Sequence, residues 1–347
     1  MPPKKDGPAL YEQLKAQLLD YINTARPRLL PGENEIAAEY GMSRTTVRRA
    51  LRDLADANII RPVQGLGTLV NDPGNSGAQR FILLLVDRNW GLFAEEIFRR
   101  LLALLREHRL HAILSMIEPP FDEPQLDFLF SQAEGVILDP WLSNSRELHE
   151  MLERKKMKSV SLRWISPFDQ ASFVTEDVPM GYELLTRHLL ELGHREIAVV
   201  CHTSDGLHLP GIRRGFQAFG LEFDEREVIH LGYGDRSEGY RAAERLLAEK
   251  RRFTAVIAHN DAAALGIMER LLQAGMRIPQ DVSVVGSDNV TDSVNYPVPL
   301  TTICSDHDAM IHEAIRILLR NDSAAVRMTF PMKLIVRGST AAPPRRS

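Results

Sequence analysis

From Phe81 onward, short apolar runs alternate with longer amphipathic stretches. The runs are Phe81–Val86, Ala112–Met116, Gly135–Leu138, Ser159–Leu162, Ile197–Val200, Ala255–Ala258 and Val282–Gly286. Between them lie helical patterns such as Phe93–Arg109, Pro179–Leu192, Ser237–Lys250 and Ala262–Ala274. A strand with one wet face alternates apolar and polar residues. A nearly unbroken apolar run is instead buried on both faces, as in a parallel sheet clad with helices. The span is too long for one small doubly wound unit. Two lobes of parallel sheet are therefore expected, with a ligand cleft outside the carboxyl ends of the strands.

The chain before Phe81 follows a different rule. Ser43–Arg52 holds four arginines and no acid. Ser43 can cap a helix, because its hydroxyl accepts from an otherwise orphaned backbone N–H. Val47, Ala50, Leu51 and Leu54 then share one helical face, while Arg44, Arg48 and Arg52 recur at four-residue spacing on another. Upstream, Glu35–Tyr40 reads as a short helix stopped by Gly41, with Met42 in the turn, which makes a helix-turn-helix. Ile59–Val63 and Thr68–Val70 flank Gln64–Gly65–Leu66–Gly67 and read as a glycine-tipped hairpin, the wing of a winged helix. A first helix over Leu10–Asn23, with Leu10, Leu14, Leu18 and Tyr21 or Ile22 inward, packs beneath it. The net charge of −4 divides unevenly: residues 1–70 carry 10 Lys and Arg against 8 Asp and Glu, the remainder 32 against 38. The basic surface is local to the head. Domain limits follow: residues 1–70 a winged helix-turn-helix, 71–79 a Gly/Pro/Asn/Ser-rich linker, and 80–347 a two-lobed effector-binding and dimerisation domain.

"LLPGENEIAAEYGMSRTTVRRALRDLADANIIRPVQGLGTLV" resembles the winged-helix domain of the GntR family of bacterial transcription regulators. The resemblance, over about Leu10 to Asn71, implies that residues after the turn meet bases and phosphates in the major groove. It also implies that the wing tip reaches the minor groove. The positions that carry over are Asn34, Ser43, Arg44, Thr45, Thr46, Arg48, Arg49, Gln64, Gly65 and Gly67. One departs from the pattern: after Leu-Pro the family has Ser-Glu-Arg, and Asn34 stands where its DNA-binding arginine would be.

"GYELLTRHLLELGHREIAVV", "FTAVIAHNDAAALGIMERLLQAGMRIPQDVSVVGSDN" and "PLTTICSDHDAM" resemble the effector domain of the lactose/galactose repressor family, which shares the fold of periplasmic sugar-binding proteins. A GntR-type head on such a body is similar to bacterial arabinose repressors. Sugar sites need planar polar groups for paired hydroxyls and aromatic faces for the ring. Asp177, Asp261 and Asp288 each follow an apolar strand. The resemblance places Asn260 and Asp288 at ligand-contacting positions. Trp90 and Phe93 follow the first strand, where the family offers an aromatic. Trp141 follows Asp139–Pro140, and His202 and His208 lie after Ile197–Cys201. The family commonly has an arginine three residues before a Gly-Phe pair. Here the pair is Gly215–Phe216 and that position is Ile212, so a neutral sugar is expected in preference to an acid.

Other classes fit poorly. There is no GxxxxGK[ST] phosphate loop and no GxSxG elbow. His307 and His312 are five apart, and His108 and His111 lack a third ligand, so no catalysis, metal or cofactor is expected. Cys201 and Cys304 lie far apart in apolar stretches, as buried thiols in a reducing cytoplasm do. No transmembrane span is expected. The sequence thus implies a cytoplasmic, homodimeric, ligand-controlled transcription regulator, most often a repressor among its kind, bound to a double-stranded DNA operator. The alternative is a small-molecule (sugar) binding protein whose N-terminal module docks a protein partner.

Overall fold

The computed structural model describes residues 10–25, 27, 29–57, 59–63, 67–71, 81–87, 92–107, 110–202, 206–232, 234–250, 252–320, 322 and 324–344, excluding the side chains of 92–95, 107 and 227. Two compact units emerge. One comprises residues 1–87, 101–174 and 308–327, the other residues 88–100, 175–307 and 328–347.

The head opens with α1 (Leu10–Ala25), which buries Leu14, Leu18 and Ile22. Leu10 is 62% exposed, so the buried stripe begins one turn later than its spacing suggests. After β1 (Leu29–Leu30) come α2 (Glu33–Glu39) and α3 (Arg44–Asp56), then the hairpin β2 (Ile60–Val63) and β3 (Gly67–Val70). β3 pairs antiparallel with both β1 and β2. The helix α2 starts two residues before the expected Glu35. Glu35 acts instead as its cap, accepting from Gly32 N at 2.8 Å. Gly41 turns the chain at φ +59°, a conformation costly to a side chain. Ser43 Oγ then accepts from Thr46 N at 3.2 Å to start α3. Leu14, Leu18, Ile36, Val47, Leu54 and Ile60 meet in one core.

The first parallel sheet is made by β4 (Phe81–Val86), α4 (Leu92–Glu107), β5 (His111–Met116), α5 (Glu123–Gln132), β6 (Ala133–Leu138), α6 (Arg146–Arg154), β7 (Ser159–Leu162) and β8 (Ser172–Glu176). Its strands run β5-β4-β6-β7-β8, all parallel. β5 reads as a doubly buried run, yet Leu114 and Met116 are exposed, because β5 is an edge strand.

The second sheet is built from α7 (Val178–Glu191), β9 (Ile197–His202), α8 (His208–Gln217), β10 (Ile229–Leu231), α9 (Arg236–Ala248), β11 (Ala255–Ala258), α10 (Asp261–Gln273), β12 (Ser283–Ser287), α11 (Thr291–Asn295) and β13 (Thr301–Cys304). The chain closes with α12 (His307–Leu319), β14 (Arg327–Phe330) and β15 (Lys333–Ile335). The second sheet runs β10-β9-β11-β12-β13, all parallel, and ends with β15 antiparallel to β13. β14 extends the first sheet beyond β8. Helices α9 and α10 approach through glycines. A Cβ on Gly266 would lie 1.9 Å from Arg236 O, and one on Gly239 would lie 2.1 Å from Ala263 O.

Both sheets share a strand order. In each, the first strand in the chain lies between the second and the third. Neighbouring crossovers then leave on opposite faces, opening a crevice at the carboxyl ends between the first and third strands. That switch point falls between β4 and β6 in the first sheet, and between β9 and β11 in the second.

Candidate nucleic-acid interface and effector site

On the head, the burial of Val47, Ala50, Leu51 and Leu54 leaves the other face of α3 in solvent. Arg44, Thr45 and Arg48 are exposed there, at and just beyond the helix N-terminus. Ser43 and Thr46 are joined by a hydroxyl–hydroxyl bond of 2.8 Å and end the helix in polar tips. Asn34 is exposed on α2. Arg48 Nε donates to Glu33 Oε2 at 2.8 Å. Arg49 behaves differently from its neighbours: its guanidinium lies 3.8 Å from the centre of the Tyr11 ring, stacked on α1. Gly67 is exposed at the base of the wing with φ +111°, while Gln64 and Gly65 lie outside the described residues. Guanidinium and hydroxyl groups at the N-terminal end of an exposed helix are donors for guanine edges and phosphates, and the helix dipole adds to them.

In the second unit, strand register sets which groups share an edge. Val200 pairs with Ala258, and Val285 with Ile257, so Cys201–His202, His259–Asn260 and Ser287–Asp288 leave the sheet at nearly the same level. His202 and His259 flank the switch point. Their rings stand 5.6 Å apart, and His202 N donates to His259 Nδ1 at 3.4 Å. The His208 ring lies 4.6 Å from that of His259 and 4.3 Å from the buried Tyr182, whose hydroxyl donates to the His259 carbonyl. Asn260 caps α10, its Oδ1 accepting from Ala263 N at 2.8 Å. Asp288 is buried with φ +114°, and its N–H donates to Ile303 O at 2.9 Å. So unusual a backbone for an aspartate persists only where its surroundings over-determine it, as functional loops do.

Two expected ligand carboxylates have structural work. Asp261 is wholly buried. Its Oδ2 accepts from Val290 N at 3.0 Å and Ser293 Oγ at 2.6 Å, and its Oδ1 from Thr302 Oγ1 at 2.6 Å. Burial pushes its carboxyl up to about 6 despite these donors. Its place is in the core beneath the edge, fastening α10 to the loop after β12 and to β13. Asp177 caps α7, accepting from Met180 N at 3.0 Å.

In the first unit, Trp141 is exposed in the loop after β6. Asp139 organises that loop: its carboxylate accepts from Asp87 N at 2.6 Å and Leu142 N at 2.8 Å, tying the end of β4 to the end of β6 at that sheet's switch point. Burial raises its carboxyl above the ordinary range. Trp90 and the Phe93 side chain lie outside the described residues.

Sequence reasoning passed over Tyr182, His259, Asp139 and Glu33. His259 had a usable signal, since it directly precedes Asn260 at a strand end. Tyr182 and Glu33 had none, because their partners are 77 and 15 residues away. Among the described residues no group of three or more His, Cys, Asp or Glu could hold a metal ion, and no helix is long and apolar enough to cross a membrane.

Comparison with other proteins matches this geometry. The sequence pattern of "Bacterial regulatory proteins, gntR family" fits residues 9–70, and that of "Periplasmic binding protein-like domain" fits residues 186–340. The chain is 26% identical to an arabinose metabolism transcriptional repressor of Halalkalibacterium halodurans, over 95% of each protein. It is 28% identical to the transcriptional repressor PurR of Vibrio atlanticus, over 82% of this chain and 90% of that one. The transcriptional regulator CelR, solved as a cellobiose complex, superposes with TM-score 0.66 at 25% identity, covering 89% of this chain and 100% of that one. The relatives are transcription regulators, and the fold they share is the one built up above. Residues 9–70 are a gntR-family DNA-binding domain, residues 186–340 a periplasmic-binding-protein-like domain, and the chain is a DNA-binding transcription regulator made from the two.

Proposed function

We propose that this regulator is a repressor which binds its operator as a homodimer, performs no catalysis, and changes its DNA affinity on binding a neutral sugar. Arg44, Thr45, Thr46 and Arg48 read and grip the major groove, and the wing with Gly67 follows the minor groove. The sugar meets the strand-end groups of the second unit, chiefly Asn260, His208 and Asp288. One observation supports this reading above the rest: Asp288 and Asn260 leave adjacent strands at one level, beside the switch point, on a backbone strained at Asp288. A carboxylate there accepts from two neighbouring hydroxyls, and such charge-assisted bonds exceed neutral ones. Ile212 is wholly buried in the core with Tyr182 and Leu185, which offers a sugar acid no cation at that position. Two of the three named relatives carry a neutral sugar in their names, arabinose and cellobiose, while PurR does not.

Calorimetry across neutral sugars and sugar acids tests the effector class, and tight binding of an acid alone counts against it. Asp288→Ala should bind operator as the unaltered protein does, yet lose about 1–3 kcal/mol of sugar binding and with it the response. A full response from that variant removes Asp288 from the site.

A further inference from the structure

Glu33 is an acid on a surface that must meet a polyanion. It does not serve as the cap of α2, because Glu35 already accepts from Gly32 N. Its Oε2 instead accepts from Arg48 Nε at 2.8 Å across to α3, with the two side chains 40% and 65% exposed. So exposed a pair adds little to folding. Its effect is on geometry. Guanidinium can present two parallel donors to guanine O6 and N7 by its side edge, Nε with one Nη, or by its end, the two Nη. With Nε held by Glu33, only the end remains. The flexible arginine stem is also fixed before DNA arrives, which lessens the ordering left to binding.

We propose that Glu33 is a positioning residue for DNA reading: its carboxylate holds Arg48 so that the two terminal nitrogens of the guanidinium face one guanine in each half-site. The arrangement exchanges grip for discrimination. A carboxylate near the phosphates weakens attachment to any duplex, while the fixed fork favours one base pair. Arg48 serving only as a phosphate contact would need no such restraint.

The full-length protein is used to select duplexes from a random pool, and the selected duplex and a random duplex of the same length are the probes. Glu33→Gln is expected to lose base preference at one position in each half-site. Its ratio of selected to random affinity should fall about fivefold or more, the lower part of the range for one bidentate contact, while random duplex binds more tightly than before. Arg48→Ala should lose preference at the same position, and the double variant should lose no more there than either single one. Glu33→Asp keeps the charge but shortens the reach, so the preference should be relaxed in it as well. The proposal is overturned by an unchanged base preference in Glu33→Gln, by equal loss on both duplexes, or by full additivity with Arg48→Ala. A wild-type preference in Glu33→Asp would also overturn it, since charge alone would then suffice.

Discussion

The head and the second unit both present polar side chains at the edge of a scaffold, but they hold them differently. On α3, Arg44, Thr45 and Arg48 stand in solvent while a separate apolar face carries the folding. In the second unit, Asp261 is buried and bonded from three directions, and Asn260 and Asp177 cap helices. Where the proposed recognition groups sit outside the core, binding and stability can vary separately. Where they sit in it, the two are linked.

That contrast is most sharply tested where neither surface is touched. An alanine in place of an exposed helical glycine stabilises by about 1 kcal/mol. At Gly266 the new methyl would lie 1.9 Å from Arg236 O, a backbone atom that cannot step aside. Overpacking should win, and Gly266→Ala should destabilise the second unit by on the order of 3 kcal/mol. Differential scanning calorimetry should show its transition fall while duplex binding by the head persists below it. A higher melting temperature would mean that α9 and α10 do not pack as described.

Next in size is a pH effect from one buried carboxyl of the second unit. The Asp261 carboxyl stands at about 6 when folded, against 3.8 ordinarily. A raised acid stabilises most below its unfolded value, and that contribution is lost as pH rises through about 6. At ~1.4 kcal/mol per unit this amounts to about 3 kcal/mol. Burial lowers His188 and His194, which act in the opposite sense: they favour the fold above about 6.5 and oppose it as they are forced to protonate below. The difference between the unaltered protein and Asp261→Asn in urea unfolding separates the two. Acidification from pH 7 to 4 should shift that difference toward the unaltered protein by up to about 3 kcal/mol. A difference that stays flat with pH removes the buried carboxylate from the linkage.

On the head the expected effects are smaller and fall on binding. Arg44→Ala should weaken selected-duplex binding by about 1–3 kcal/mol, with the melting temperature unchanged. Loss of stability there would break the distinction between the two regions. Ser43→Ala should cost about 1 kcal/mol of head stability, because Thr46 N loses its acceptor. At that position folding and the proposed recognition meet.

Much of this was legible in the sequence, for identifiable reasons. β4, β7 and β11 lie where their apolar runs place them, since central strands carry their own pattern. β5 misled because an edge strand keeps apolar residues on an open face. The strands β1, β10 and β15, of two or three residues, are too brief to show a period, and pairing with neighbours defines them. The arginine face of α3 was readable because exposure follows from helical spacing alone. Asp261 was not: an aspartate after a strand looks the same whether it meets solvent or Ser293 and Thr302, which lie 32 and 41 residues further on. Spacing reveals direction, while burial depends on what the rest of the chain brings.

The order in which the chain leaves the ribosome adds a constraint on how such a molecule is made. Domains generally fold as units, the N-terminal first. The head is complete once Val70 has emerged. The first sheet is not so fortunate: β4 to β8 are synthesised early, yet α12, whose Leu318 packs on Gly135 of β6, follows the whole run from residue 175 to 307. Nascent chains should therefore pass through a long interval in which one layer of that sheet is uncovered, and a chaperone has its clearest opportunity there.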